Sequence, residues 1–461
     1  MIQGLLLALA ASVVSAQAPR APSPAPDSAG TVAVVDVTVV PMDRERTLPR
    51  HTVVVRDGRI VAVGPTRSTR VPAGAVRIDG RGRFLMPGLA DMHSHLAPGE
   101  GTPADGAGRQ MRLFLANGIT TVRGVIAPPG YLAFRDRVRS GEVLGPMLLV
   151  AGPSLNGNSV KTPADGRRMV EEAKAAGYDL LKTHGGFASR EIYDTIAAAA
   201  KRAGLLLGGH VSAETGLAGA LASGQQVEHL DGYIAATIRD GADASAAAGQ
   251  IVTDPAVLAQ VDTAKLRTVA EATRRAGVWN GPTLALFENI VGSLPVDSLA
   301  ARPEMQYVPA QGLANWRNQV GQIRQSEGGA GAEAYLDLRR RLVRALHAGG
   351  ARLLVSSDSP QLFLVAGFGT HREMRAMADA GLPAYAVLEA ATRGPAEYLG
   401  QAQEFGTVAV GRRADLLLLD ADPLADVGNT SRIAGVMTRG RWLPRAELAR
   451  MLAEAKRGLS N

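Results

Sequence analysis

The chain has no cysteine in 461 residues, which excludes a disulfide framework and any metal site held by thiolates. Aromatic residues are scarce, at 4%. The net charge of +7 comes from basic residues dispersed in short groups such as Arg339-Arg340-Arg341. A nucleic-acid-binding face needs clustered basic groups interleaved with aromatics, so nucleic acid is not expected as a partner. Beyond the N-terminus no apolar run is long enough to span a bilayer. Histidine is sparse too, with eight in all. A metal ion, if one is bound, must rest on these few imidazoles, on carboxylates or on something less usual.

The first residues carry a different signal. Ile2 to Ala16 is apolar and ends in small residues, with Val14-Ser15-Ala16 and Ala16-Gln17-Ala18 both acceptable to a signal peptidase. At about 15 residues the run falls short of the roughly 20 that span a membrane. It lacks the Lys or Arg that usually precedes such a run. Residues 1–18 read as a signal peptide, which implies a secreted or periplasmic protein with no membrane association after cleavage. Residues 19–30, rich in Pro, Ala and Ser, read as a disordered linker.

After the linker comes the β-branched run TVAVVDVTVV, then HTVVVRDGRIVAVG, two strands around Asp57-Gly58. Asp-Gly between alternating apolar residues is the strongest short-range hairpin signal. Short β runs return near the C-terminus in GTVAVGRRADLLLLD and IAGVMTRGRWL, before a closing helix over 444–457. Between the two β-rich ends, short apolar runs alternate with helical stretches, the pattern of βα units in a parallel sheet. Eight candidate strands lie at 84–93, 118–123, 147–151, 178–183, 205–210, 226–229, 278–283 and 352–357. The expected α/β architecture is a (β/α)8 TIM barrel over 84–400 with a small composite β-sandwich domain built from both chain ends, 31–83 and 401–461. The gaps 231–254 and 285–332 exceed usual loop lengths and are expected to carry extra helices over the barrel mouth.

Five candidate ligands fall at the C-terminal ends of these strands. His93 and His95 close the first in Asp91-Met92-His93-Ser94-His95, where alternation along a strand turns both imidazoles to one side. His210 ends the fifth strand, His229 the sixth and Asp358 the eighth. In a barrel these ends converge on one mouth. Four imidazoles and a carboxylate there suit Zn²⁺, with Mn, Co or Fe also acceptable. Lys182, near the end of the fourth strand in GYDLLKTHGG, would be costly to bury charged. Reaction with CO2 to a carbamate that bridges two metals is one resolution; a neutral or ion-paired amine is the other.

With these residues in place the chain resembles the amidohydrolase superfamily, on the imidazolonepropionase-like branch that includes secreted Xaa-dipeptidases. The resemblance rests on PGLADMHSH, ANGITTVRG, YDLLKTHGG, GGHVS, VEHLDGY, the Asp of SSDSP, EAATRGPAEYLG and GTVAVGRRADLLLLDADPL. It implies that His93, His95 and Asp358 bind one metal and that His210 and His229 bind a second. It further implies that Lys182 bridges both as a CO2-derived carbamate, with Asp358 as general base. The implied reaction is hydrolysis of an amide or peptide-like C–N bond in a small molecule, a dipeptide or an N-acyl amino acid. The alternatives are a cyclic amide, lactam or lactone hydrolase with one metal, and a non-catalytic barrel binding protein. Homo-oligomers are compatible with the family.

One departure stands out. Dipeptidase members carry a histidine in Gly-His-Gly after the third strand; here the stretch is AGPSLNGNSVKT. His184, two residues past Lys182, could reach the same space or simply cap the following helix. Arg123, ending the second strand, could grip a substrate carboxylate or pair with Asp91 or Asp358. Tyr233, four residues past His229, could donate to a carbonyl oxygen or pack in the core. His371, at the start of the helix after the eighth strand, reads as structural.

Overall fold

The computed structural model describes residues 30–96, 106–127 and 130–457. The signal peptide and nearly all of the linker expected from sequence, residues 1–29, lie outside the described residues. No described helix is long and apolar enough to cross a membrane.

Five strands open the chain: β1 (Val32–Val39), β2 (Leu48–Arg56), β3 (Arg59–Pro65), β4 (Val76–Asp79) and β5 (Phe84–Pro87). Asp57 and Gly58 turn the β2–β3 hairpin with φ of 50° and 74°. Two positive φ values give the twist that lets antiparallel strands run on without splaying, and Asp-Gly tolerates them at low cost. At the other end of the chain come β15 (Leu416–Leu419), β16 (Ile433–Thr438) and β17 (Arg441–Pro444). All eight strands join one sheet in the order β17-β16-β15-β5-β1-β2-β3, with β4 paired to β1. Its buried face gathers Val34, Val37, Val53, Ile60, Leu416 and Leu418 into a core of their own. Each such side chain contributes about 1.5–3 kcal/mol on leaving water.

Between the ends run nine further strands. These are β6 (Leu89–His95), β7 (Ile119–Ile126), β8 (Met147–Val150), β9 (Leu155–Asn156), β10 (Leu180–Gly185), β11 (Leu206–Gly209), β12 (Gln226–Glu228), β13 (Trp279–Gly281) and β14 (Arg352–Leu353). All of their pairings are parallel, as β6-β7-β8 and as β14-β13-β12-β11-β10-β9. Backbone hydrogen bonds link the two sheets at both edges. Gly152 N–H donates to Leu180 O at 2.9 Å, joining β8 to β10. Met92 N–H donates to Val355 O at 2.9 Å and Asp358 N–H to His93 O at 2.8 Å, joining the segment after β14 to β6.

Helices fill the connections with ordinary start and stop chemistry. The helix Pro163–Ala176 begins on a Thr162–Asp165 capping box with proline in its first turn and ends on left-handed Gly177. The long gaps also hold helices, including Tyr233–Ala236, Leu284–Val291 and Ala310–Ser326.

Two expectations need correction. The first candidate strand, 84–93, is two strands: β5 pairs with β1 and β15 in the terminal sheet, and only β6 joins the parallel set. The break falls at Gly88, where a Cβ would sit 2.3 Å from the Thr120 hydroxyl oxygen, so the chain passes that point only as glycine. The short strand β9 was not foreseen; two residues are too few for periodicity to reveal.

Candidate metal centre

Six side chains sit at or just beyond one end of the parallel strands. His93 and His95 leave the end of β6 with rings nearly parallel and centroids 5.5 Å apart. His229 follows β12, its ring 4.9 Å from that of His93 and 4.7 Å from that of His210, which follows β11. Asp358 follows β14. Lys182 lies on β10 at the level of Gly208. His93, His229 and Asp358 are buried, and donor atoms from all three lie within 4.8 Å of one another.

The backbone is held unusually where these residues leave their strands. His229, Leu230, Thr283 and Asp358 all have φ between 49° and 59°. For non-glycine residues this costs about 1–3 kcal/mol each and persists only where surroundings impose it, most often at functional sites. The imposing contacts are visible: His229 N–H donates to Gly281 O at 2.8 Å, and Asp358 N–H is fixed on His93 O.

Asp358 is the hub. Its Oδ1 lies 2.9 Å from His95 Nε2 and 3.3 Å from His93 Nε2, and its Oδ2 lies 3.7 Å from His229 Nδ1. Although these nitrogens are close, Oδ1 is buried and accepts no hydrogen bond. A buried carboxylate oxygen facing several imidazole nitrogens, with no hydrogen bond between them, has the donor arrangement of a cation site. The residues therefore fit a divalent metal. Burial alone would raise the Asp358 carboxyl, but His93, His95 and His229 hold it well below the usual carboxylate range. Burial lowers His93 to about 4 and drives His229 well down, so both imidazoles are neutral and able to ligate. Burial also lowers the Lys182 amine, and Lys182 has no ion-pair partner among the described residues. A free-base amine is the form that reacts with CO2.

Around these six lies a supporting layer. Glu228, one residue before His229, puts Oε2 2.9 Å from His93 Nδ1 and ion-pairs with Arg123 through Oε1. Asp231 Oδ2 accepts from His210 Nδ1 at 2.8 Å, and the Gln250 amide crowds the same nitrogen at 2.6 Å. Thr283 Oγ1 is 2.9 Å from His229 Nδ1. Asp91 accepts from Ser357 Oγ at 2.5 Å and from Thr370 Oγ1 at 2.7 Å. Such partners fix ring orientation and tautomer at metal sites. None of Glu228, Asp231, Thr283 or Gln250 was singled out from sequence, and Asp91 was named only as a partner for Arg123. A signal existed for Glu228, since a carboxylate inside a buried parallel strand needs a partner.

Two of the residues with a substrate reading and a structural alternative are engaged inside the fold. Among the described residues Arg123 pairs with Glu228, not with Asp91 or Asp358. It is fully buried, donating to Met92 O at 2.5 Å, Gln226 Oε1 at 2.7 Å and Tyr398 Oη at 3.0 Å besides its pair with Glu228. Tyr233 is fully buried and its hydroxyl is held by Thr273 Oγ1 and Asn280 Oδ1 at 2.7 and 2.8 Å. The helix it begins turns the ring into the core. His184 does lie beside the cluster, its ring 5.2 Å from that of His210 and its Nδ1 2.6 Å from Ser154 Oγ. His371 bonds Thr430 Oγ1 and Asn117 O, a structural role. A cavity of about 420 Å³ lined by Ile251, Val252, Pro255 and Glu327 touches none of the six clustered residues.

Glu373 buttresses this end of the fold. It is fully buried and accepts from the N–H groups of Leu284 and Ala285 at 3.0 and 2.8 Å, just past Thr283. Burial raises its carboxyl from 4.5 to about 8. The folded state thus holds a proton that the unfolded chain releases, so this contribution is full below the unfolded value and lost as pH rises through the folded one. Wild-type Tm should fall from about pH 5 to 8 more steeply than that of Glu373→Gln, read by calorimetry. Equal slopes would contradict the assignment.

A model described as the amidohydrolase family matches residues 84–443 of the chain. Among curated proteins, the adenine deaminase of Rubrobacter xylanophilus is 26% identical over 436 residues, covering 93% of this chain and 59% of that protein. The chain thus spans about three fifths of that relative's length. Among solved structures, bottromycin amidohydrolase superposes with a TM-score of 0.71 at 23% identity, covering 93% of this chain and 90% of that one. A Xaa-Pro dipeptidase with bound methionine gives 0.67 at 16% identity, covering 90% and 100%. At these identities the structural likeness establishes a shared fold.

Proposed function

Because this chain belongs to the amidohydrolase family, we propose that it is a metal-dependent hydrolase cleaving an amide or peptide-like C–N bond in a small molecule, a dipeptide or an N-acyl amino acid. The observation that carries this reading is the gathering of His93, His229 and a buried Asp358, whose Oδ1 accepts no hydrogen bond, with His95 and His210 beside them and Lys182 on β10. His93, His95 and Asp358 would hold one divalent cation and His210 and His229 a second, with a carbamate on Lys182 between them. Zn²⁺ suits the set; Mn, Co and Fe are also compatible. When bound, the cations polarise a carbonyl and lower the pKa of water.

The chain's own groups do the rest. Asp358, ionised and at the centre of the cluster, takes a proton from the attacking water and returns it to the leaving nitrogen. Glu228 and Asp231 hold His93 and His210 in the orientation and tautomer that point a lone pair inward. Arg123 keeps Glu228 ionised from behind.

The hydrogen bonds across both sheet edges support a closed (β/α)8 barrel that starts at β6, near residue 89 rather than 84, and runs to about residue 400. The pairing of strands from both chain ends in one sheet supports a composite terminal β domain built from the segments before β6 and after residue 400. Cleavage of a signal peptide over 1–18 would place the enzyme in the periplasm or outside the cell. A second reading, hydrolysis of an exocyclic C–N bond in a nucleobase, is favoured by the match to an adenine deaminase over 93% of this chain.

The test is a substrate panel on protein purified with Zn²⁺ and bicarbonate. Release of free amino acids from dipeptides or N-acyl amino acids is the expected result. Ammonia from adenine alone would establish the second reading, and no turnover of any C–N substrate would overturn both. Lys182→Ala should lose about one metal equivalent per chain, regained with a short carboxylic acid. Unchanged metal content would remove Lys182 as a bridge.

A further inference from the structure

We propose that His184, held by a relay from Asn156 through Ser154, presents a neutral Nε2–H to the carbonyl oxygen of the substrate. The proposal rests on the hydrolase reading above, and its geometry comes from the loop after β8. Asn156 Oδ1 accepts from the backbone N–H groups of Asn158 and Ser159 at 2.8 and 3.1 Å. That fixes the amide: the oxygen faces the backbone, so Nδ2 must be the group that donates to Ser154 Oγ, at 2.8 Å. Ser154 Oγ in turn lies 2.6 Å from His184 Nδ1.

The direction of that last bond follows by elimination. Were His184 Nδ1 the donor, Ser154 would accept twice and its own proton would have no acceptor among the described residues. With Ser154 donating to Nδ1, the Ser154 hydroxyl uses both its proton and its lone pair, the lone pair on Asn156 Nδ2–H and the proton on the imidazole. A neutral imidazole that accepts at Nδ1 carries its proton on Nε2. His184 is thereby a fixed hydrogen-bond donor rather than a lone-pair ligand like its neighbours.

The relay is rigidly seated. Gly157 N–H donates to Gly185 O at 3.0 Å. A Cβ at position 157 would sit 1.8 Å from Gly186 O, so the loop is pressed directly on the turn that follows His184. The ring lies 5.2 Å from that of His210, and Lys182 and His184 share a face of β10 by strand alternation. An N–H donor here, preorganised at the edge of a cation-binding cluster, is placed to stabilise oxygen charge that grows as water adds to a carbonyl. His184 is thus a catalytic residue beside Asp358, and Ser154 and Asn156 position it.

The tautomer is measurable without substrate or metal. Histidine-selective ¹⁵N labelling of the full chain, with His184 identified by its loss in His184→Ala, should show the Nε2–H form in metal-free and zinc-loaded protein. Ser154→Ala should mix the tautomers and Ser154→Thr should restore them. With a substrate in hand, His184→Ala should lower kcat by about 10²–10³-fold with metal per chain unchanged, and His184→Gln should recover part of the loss. An Nδ1–H tautomer in the wild type, or kcat for His184→Ala within twofold of wild type, would overturn the proposal. Absence of all hydrolytic activity with an intact Nε2–H tautomer would instead count against the hydrolase reading, so the two failures are distinguishable.

Discussion

Asp358→Asn should lose activity by about 10²–10⁴-fold, the range for removing a positioned acid–base group, while keeping its fold and metal. The wild-type carboxylate is buried yet ionised, because His93, His95 and His229 outweigh the cost of burial. An ionised carboxylate can take the proton of an attacking water; an amide of the same shape cannot. The amide oxygen remains able to face a cation, so binding should survive where turnover does not. Steady-state kinetics and elemental analysis on one preparation read both quantities. A kcat within tenfold of wild type would remove Asp358 as the proton carrier, whatever the metal content.

Glu228→Ala should be the most destabilising single change at the site. Arg123 and Glu228 are both fully buried and paired, and removing one partner of such a pair costs about 3–5 kcal/mol because the other charge is left in a dry interior. The same change frees His93 Nδ1 from its 2.9 Å contact, which should weaken metal binding by about 10–100-fold. The double variant Arg123→Met with Glu228→Leu separates the two effects. It should regain much of the lost stability, since an apolar pair of similar volume carries no stranded charge, but not the metal affinity. Urea unfolding and metal titration distinguish these outcomes. A loss under about 1 kcal/mol for Glu228→Ala would show that Arg123 finds another counter-charge.

What sequence revealed here was local or periodic. The Asp57-Gly58 hairpin, the alternation of short apolar runs with helices, and the imidazoles closing β6, β11 and β12 all follow from spacing within a few residues. Contacts between distant segments escaped. Arg123 and Glu228 are 105 residues apart, so only the fold shows that each is the other's partner; sequence offered Arg123 a substrate carboxylate or a pairing with Asp91 or Asp358, not Glu228. For Tyr233 the two readings, donation to a carbonyl oxygen and packing in the core, could not be separated by sequence, and the structure shows the packing. Its place four residues past His229 is suggestive, but the helix starting there turns the ring inward, and helix phase at a four-residue element is not legible from sequence. Ser154 sits in a loop with no periodicity and gains meaning only through its contact with His184.

The most direct test of the proposed centre is elemental analysis of metal per chain, on protein purified with bicarbonate present. Four imidazoles, a bridging Lys182 carbamate and Asp358 predict close to two equivalents. Close to one would contradict the bridged pair and favour a single-metal hydrolase, and none after reconstitution would contradict a metal centre at these residues altogether.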